Sequence, residues 1–552
     1  MKDDALTKRT LWALILVFVA IWFGQLDYRK LVKPDEGRYA EISREMAASG
    51  DWVTPRLNGL KYFEKPPMQY WATAVAYHVA GEHEWTARLW TALTGFLGIV
   101  AAAYAGSVLF GRRAGLLAAL VLGSSFYYLA LGHINTLDMG VSFFLELALV
   151  GFLMAHRDGA SANTQRNWMW LTWAAMAGAM LSKGLIGLVL PGAALVLYVL
   201  ATRQFRLLLG MRWLSGLLIF AALTLPWFAL VSARNPEFLQ FFFIHEHFQR
   251  FSTDAARRLA PWWIFVPILA IGITPWLTWL PQSLIASMRK LPTERFRPQL
   301  LLLIWSVFIF VFFSTSKSKL PAYILPIFPA VAILLGDYLS RVEAASLRRH
   351  AALLLAAAIV VAAIFAVAPH FANYGSEATP RAMIDAYIQW GRVAALAGVA
   401  GFAVAYLLAR SAKVLPAFVA MGFASVIATS LFLNGHNALA RSNSAFFLAQ
   451  DIKPHLKPGV PFYSVKMYDQ TLPFYIKRTL TLVDYRDELS LGIDQQPELA
   501  VATLREFTDA WQHQPEALAL MSTETYADLA KNQQLTMRVI ASDTRRVVVS
   551  KP

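Results

Sequence analysis

Two short stretches carry the residue types that could do chemistry. One is Pro34-Asp35-Glu36-Gly37-Arg38-Tyr39-Ala40-Glu41, and the other is Tyr62-Phe63-Glu64-Lys65-Pro66-Pro67. Both lie in the first long polar segment after an apolar run. A carboxylate such as Asp35 or Glu36 at a water–lipid boundary can take a proton from an acceptor or position it. The alternative for Asp35 is a helix cap, where Asp is favoured. Lys65 precedes a proline and is held extended; Pro66 fits the first turn of a helix. Glu64 and Lys65 are thereby placed at a helix N-terminus, a natural anion site. Lys65 would bind a phosphate, with Arg38 and Tyr62 as companions, and Glu64 could hold a metal. An interfacial ion pair is the plainer alternative.

Other candidates lie far away in sequence. Asp138, at the end of an apolar run, marks function unless it only caps a helix, because an acid there is costly unless paired or wet. His245-Glu246-His247, with Arg250 following, offers imidazoles. On a helix, residues two apart diverge by about 200°, so His245 and His247 are expected to act singly, one of them joining Glu64 around a divalent ion (Zn, or Mg/Mn) whose other ligands come from a phosphate. Ordinary interfacial histidines fit this spacing better, since it is not a metal motif. Arg250 could clamp a phosphate. Lys183, Lys317 and Lys319 complete a set of cations for an anionic group at the membrane surface, or are loop lysines.

The elements that must position these residues are membrane spans. The chain has 552 residues, 57% hydrophobic and 15% charged, against about a quarter charged in soluble proteins. Thirteen apolar stretches, from 11–27 to 413–433, predict a polytopic α-helical membrane protein. The first is read as an uncleaved span, since no small-residue cleavage site follows it. Alternate loops are short and basic, which places them with the N-terminus in the cytoplasm. The candidates all fall in the opposite loops, at 28–84, 132–136, 182–184, 233–259 and 314–319, or beside them. A net charge of +15 is therefore read as topology and lipid contact, and no nucleic-acid partner is expected. With no cysteine, disulfides, thiolate nucleophiles and Cys-ligated metals are excluded. The membrane domain is expected over 1–436, with two interfacial amphipathic helices in loop 28–84. Residues 437–552 read as a soluble α/β domain.

The Asp-Glu-Gly-Arg-Tyr and Glu-Lys-Pro-Pro elements, with Trp52-Val-Thr-Pro-Arg-Leu-Asn-Gly between them, resemble the GT-C glycosyltransferases. They are most similar to the aminoarabinose transferases that modify lipid A, relatives of the protein O-mannosyltransferases. The resemblance implies an inverting enzyme at the periplasmic face of a bacterial inner membrane. It would move 4-amino-4-deoxy-L-arabinose from undecaprenyl phosphate to a lipid A phosphate and so give resistance to cationic antimicrobial peptides such as polymyxin. A monomer is expected. Asp35 matches the family's essential first-loop acid, Glu64 and Lys65 its Glu-Lys-Pro-Pro element, and Asp138 its second acid. A lipid A phosphate is already ionised near neutral pH, so Asp35 is expected to orient the acceptor or balance cations.

Two other readings remain open on residues alone: transfer of the same donor's sugar to protein or another glycan, and a flippase. A transporter should place polar residues near mid-bilayer and show internal repeats. Here the polar residues cluster at outer ends, Glu146 being the main exception, and no repeat is found.

Overall fold

The computed structural model describes residues 7–249, 260–288, 296–370, 374–532 and 535–552. Every apolar stretch is helical within these limits. The helices used below are α1 (Lys8–Gly24), α2 (Asp35–Ser49), α3 (Met68–Ala80), α4 (Glu84–Phe110), α5 (Arg112–Ser124), α6 (Phe126–Leu131), α7 (Leu137–His156), α8 (Ala162–Lys183) and α9 (Ile186–Thr202). Later spans include Pro298–Thr315, Ala344–Val367, Arg381–Arg410 and Val414–Gly435. Among the described residues, seven helices are long and apolar enough to cross a bilayer alone. An eighth span is the pair Trp262–Gly272 and Leu277–Ser287, bent by 113°. Of the remaining expected spans, α1 and α9 have 17 residues each, the 113–132 stretch divides at Ser125 into α5 and α6, the 320–340 stretch holds the 13-residue helix Ile327–Leu339, and α8 has 22 residues but is less apolar.

The C-terminal unit is a six-stranded sheet among the described residues. Its strands are β3 (Phe462–Val465), β4 (Thr481–Val483), β5 (Ala500–Val501), β6 (Leu518–Ser522), β7 (Arg538–Ser542) and β8 (Arg546–Ser550), in the order β5-β4-β3-β6-β8-β7. The first four run parallel, and β8 pairs antiparallel with β6 and β7. Five of the six strands are alternating or apolar runs legible in the sequence; the two-residue β5 is too short to show a period.

Between these two units lies the first loop. A hairpin, β1 (Arg56–Leu57) and β2 (Leu60–Lys61), connects α2 to α3. Its turn is Asn58-Gly59, both with positive φ, the pairing that two-residue hairpins favour. Tyr39, Ile42 and Met46 form the apolar face of α2 that the spacing predicts, but its polar face is buried as well, from Glu36 to Met46. The C-terminal unit covers that face. Tyr39, Ile42, Leu57, Tyr62 and Tyr70 share one core with Tyr468, Leu482, Leu489 and Ile493. Asn58 exchanges two bonds with the backbone of Leu480, at 2.7 and 2.8 Å. Gly37 is needed because a Cβ there would meet the Gln470 carbonyl oxygen at 2.6 Å.

Glu41, Arg44 and Glu45, buried on α2, find partners within the protein. Arg44 binds Glu41 through two bonds of 2.7 Å. Glu45 accepts the backbone N–H groups of Asn58 and Gly59 at 2.5 and 2.8 Å. Burial, and then the neighbouring Glu41 charge, raise the Glu45 carboxyl from 4.5 to about 8 despite those bonds.

Two outcomes are expected. Gly37→Ala should push α2 off the Gln470 carbonyl at a cost of about 1–3 kcal/mol, seen as a lower melting temperature in detergent and faster proteolysis of the C-terminal unit. Glu45 binds its proton more tightly folded than unfolded, so its contribution to stability is complete below about 4.5 and is lost as pH rises toward about 8. Glu45→Gln should flatten the fall in melting temperature across that window; an unchanged pH profile would refute this.

Candidate functional site

Four elements bring the candidate charges of the sequence into one place. Asp35 and Arg38 come from the first turn of α2, Glu64 and Lys65 from the segment before α3, and Asp138 and Lys183 from the facing ends of α7 and α8. All six line a cavity of about 350 Å³, within the size range of ligand pockets. Ile186, Leu190, Phe312, Phe313 and Pro326 line it too, so the lining combines ionic and apolar groups.

Each cation in the cavity has a carboxylate partner. Arg38 donates to Asp35 at 2.9 Å and is 2.5 Å from Glu488 of the C-terminal unit. Lys65 is 3.0 Å from Glu246 and 3.9 Å from Glu64, and donates to the Glu64 carbonyl at 2.7 Å. Lys183 binds Asp138 directly and sits 4.9 Å above the Tyr323 ring. Asp35 is the most open acid, its side chain 48% exposed. It is the first helical residue, after Pro34, and makes no capping bond; the cap reading is set aside. Asp138 likewise lies inside the first turn of α7, whose N-cap is Thr136.

Glu36 is a correction. It does not line the cavity and is only 2% exposed. Residues adjacent on a helix diverge by about 100°, so Glu36 points inward where Asp35 points out. Arg88 of α4 grips it at 2.7 and 2.8 Å. Val32 and Asn135 donate their backbone N–H groups at 3.0 Å each. Burial alone would raise this carboxyl, but the Arg88 charge and bonds, then Arg29 and Asn135, overcome it and hold the group down at about 2. Glu36 is an anchor for the loop.

Lys317 and Lys319 are also placed differently from the expectation. Ser316 and Ser318 line the cavity, while Lys317 is exposed and Lys319 folds back to donate to the Ser316 carbonyl. Alternate residues of an extended segment face opposite ways, and the serines took the inner side. Tyr62 is buried beneath the site, outside the cavity lining, in the core shared with the C-terminal unit. Glu146, the mid-span acid, is buried and is not part of this cavity's lining.

Glu246 belongs to a π-helical segment, Gln240–Gln249, and reaches the cavity. The side chains of His245 and His247, and all of Arg250, lie outside the described residues. Among the described residues no group of three metal-ligating side chains occurs. Glu64 and Glu246, on either side of Lys65, are the carboxylates that a divalent ion could take. Two residues placed at the site escaped the sequence reading: Glu246, obscured by its histidine neighbours, and Glu488, some 450 positions from its partner Arg38 with no local signal.

Comparison with known proteins agrees with this geometry. Residues 7–242 match the dolichyl-phosphate-mannose-protein mannosyltransferase family, and residues 448–551 match the aminoarabinose transferase C-terminal domain. An undecaprenyl phosphate-alpha-4-amino-4-deoxy-L-arabinose arabinosyl transferase of Aeromonas salmonicida is 36% identical over 380 residues, 67% of this chain and 68% of that protein. Its counterpart in Pectobacterium carotovorum is 30% identical over 515 residues, 89% of this chain and 88% of that one. Shorter matches occur too, as with 58% of a Sodalis glossinidius relative. The crystal structure of ArnT from Cupriavidus metallidurans bound to undecaprenyl phosphate superimposes with a TM-score of 0.94 at 41% identity, covering 99% of both chains. The Archaeoglobus fulgidus oligosaccharyltransferase AglB, at 12% identity and a TM-score of 0.51 over 94% of this chain and 70% of its own, shares the fold alone. The chain therefore belongs to the undecaprenyl phosphate–aminoarabinose arabinosyl transferases, membrane glycosyltransferases of the GT-C fold.

Proposed function

We propose that this enzyme moves 4-amino-4-deoxy-L-arabinose from undecaprenyl phosphate to a phosphate of lipid A, at the periplasmic face of a bacterial inner membrane. The observation that carries the reading is the mixed lining of the cavity: the ionic Asp35, Arg38, Lys65, Asp138 and Lys183 together with the apolar Ile186, Leu190, Phe312 and Phe313. A phosphate-bearing lipid needs both. The isoprenoid lies along the apolar groups, and its phosphate meets Lys65 and Lys183.

In the reaction a lipid A phosphate oxygen attacks the sugar's anomeric carbon as the bond to the donor phosphate oxygen breaks, with inversion. Undecaprenyl phosphate leaves with the bonding electron pair and one more negative charge. Lys65, Lys183 and Arg38 are placed to hold that charge. No proton must be removed from an ionised acceptor, so Asp35, open to the cavity and steadied by Arg38, holds the donor's cationic sugar in line with the incoming lipid. A divalent cation on Glu64 and Glu246 belongs to the proposal; two carboxylates with a substrate phosphate would suit an oxygen-loving Mg or Mn ion, and an imidazole from His245 or His247 added to them would suit Zn. When bound, such an ion supplies further positive charge beside the leaving phosphate.

The test is transfer by the purified protein from aminoarabinosyl undecaprenyl phosphate to lipid A, read as a mass gain. Asp35→Asn and Lys65→Gln should each lower the rate by about 100-fold or more, an effect typical of losing one transition-state contact, while Asp35→Asn retains undecaprenyl phosphate binding. No mass gain on lipid A, with gain on a peptide or another glycan, would reassign the acceptor. Chelation lowers the rate if Glu64 and Glu246 hold a metal and leaves it unchanged if they serve Lys65 alone.

Glu488 acts through Arg38. Glu488→Gln removes the charge at 2.5 Å yet retains an oxygen for Gln470, which donates to it at 2.6 Å. A charge-assisted contact contributes about 1.5–3 kcal/mol, so kcat should fall at least tenfold with the melting temperature little changed. An unaltered kcat would refute the positioning role.

A further inference from the structure

A second groove lies between α1, α4, α5 and the Val414–Gly435 helix. Its volume is about 380 Å³, and its walls include Leu14, Phe18, Ile99, Leu120, Phe423 and Val426. Arg112 is its one charged lining residue among those described. The groove and the catalytic cavity share no lining residue. They also approach opposite membrane faces. The 27 residues of α4 rise about 40 Å from Glu84, on the side of the first loop, to Phe110, and Arg112 follows at the far end.

Arg112 is exposed and has no hydrogen bond or ion pair among the described residues. The same is true of Lys8 and Arg9, which stand just before Leu11, the groove's first lining residue. Three unpaired basic residues therefore sit at the entrance of an otherwise apolar channel.

We propose that this groove binds an acyl chain of an anionic phospholipid, with the phosphate on Arg112 and the Lys8–Arg9 pair beside it, in the leaflet opposite the catalytic cavity. The chain alone cannot give selectivity, because lipid tails in the bilayer are as apolar as the groove wall. Selectivity comes from the head. A basic residue at a membrane surface strengthens contact with anionic lipid by about 1 kcal/mol, or roughly fivefold. Zwitterionic lipid, with no net charge to offer, gains little from the cluster. The occupant is distinct from the sugar donor, whose phosphate belongs across the membrane.

The experiment compares purified full-length protein with two variants: Lys8→Gln/Arg9→Gln/Arg112→Gln, which removes the charges, and Ala103→Phe/Ala119→Phe, which fills the groove. Co-purified phospholipid is extracted and measured, and native mass spectrometry follows added phosphatidylglycerol against phosphatidylcholine. The unaltered protein should retain phosphatidylglycerol preferentially. Both variants should lose at least fivefold of that retention while sugar transfer continues. Equal retention of the two lipids overturns the proposal, as does unchanged phosphatidylglycerol retention in either variant. Should the filled variant fail to fold, the charge variant alone still decides whether the head is bound.

Discussion

The pairing of Glu36 with Arg88 sets the position of everything else at the site. Both groups are buried, and removing two such charges from water is costly unless every donor and acceptor is met. Here they are met. Arg88 also donates to the carbonyls of Leu26, Arg29 and Lys30, and Glu36 also accepts from Val32 and Asn135. One interaction thus ties the end of the first span, the start of α2, the body of α4 and the approach to α7. Asp35 precedes one end of this knot and Asp138 follows another. The two catalytic candidates are held relative to each other through a pair that touches neither substrate.

The C-terminal unit completes the site from the other side. Without it, the polar face of α2 would expose Arg38, Glu41, Arg44 and Glu45 to water. With it, the Asn58 turn is keyed to Leu480, Gly37 lies against Gln470, and Arg38 stands between Asp35 and Glu488. The first loop is a middle layer between membrane bundle and sheet. The sheet carries no substrate-lining residue among those described, yet it fixes the orientation of a cation that does line the cavity.

How far the sequence revealed this depends on the range of each interaction. Helical spans, the apolar stripe of α2 and the strands of the tail follow from local periodicity, and they were legible. The gathering of Asp35, Glu64, Lys65, Asp138 and Lys183 was legible because membrane topology confines them to one face. The division of labour between Asp35 and Glu36 was not, since it depends on Arg88, fifty-two positions away. Nor was the choice of Ser316 and Ser318 over Lys317 and Lys319: alternation says that the two sets face apart but not which faces inward. Glu488 is further still from any local pattern, because its meaning lies wholly in a tertiary contact with Arg38.

Charge balance in the cavity bears on how such a site discriminates a reacting donor from a resting one. Arg38, Lys65 and Lys183 each have a carboxylate of their own. A donor phosphodiester, with one negative charge, must compete with those carboxylates and gains little over them. The leaving monophosphate gains a second charge as the glycosidic bond lengthens, and only then does it outbid them for the ammonium and guanidinium groups. Interactions that strengthen in this way lower the barrier without tightening the ground state. Pre-paired cations are thus a means of reserving electrostatic stabilisation for the charge that develops, rather than a sign that the groups are merely structural.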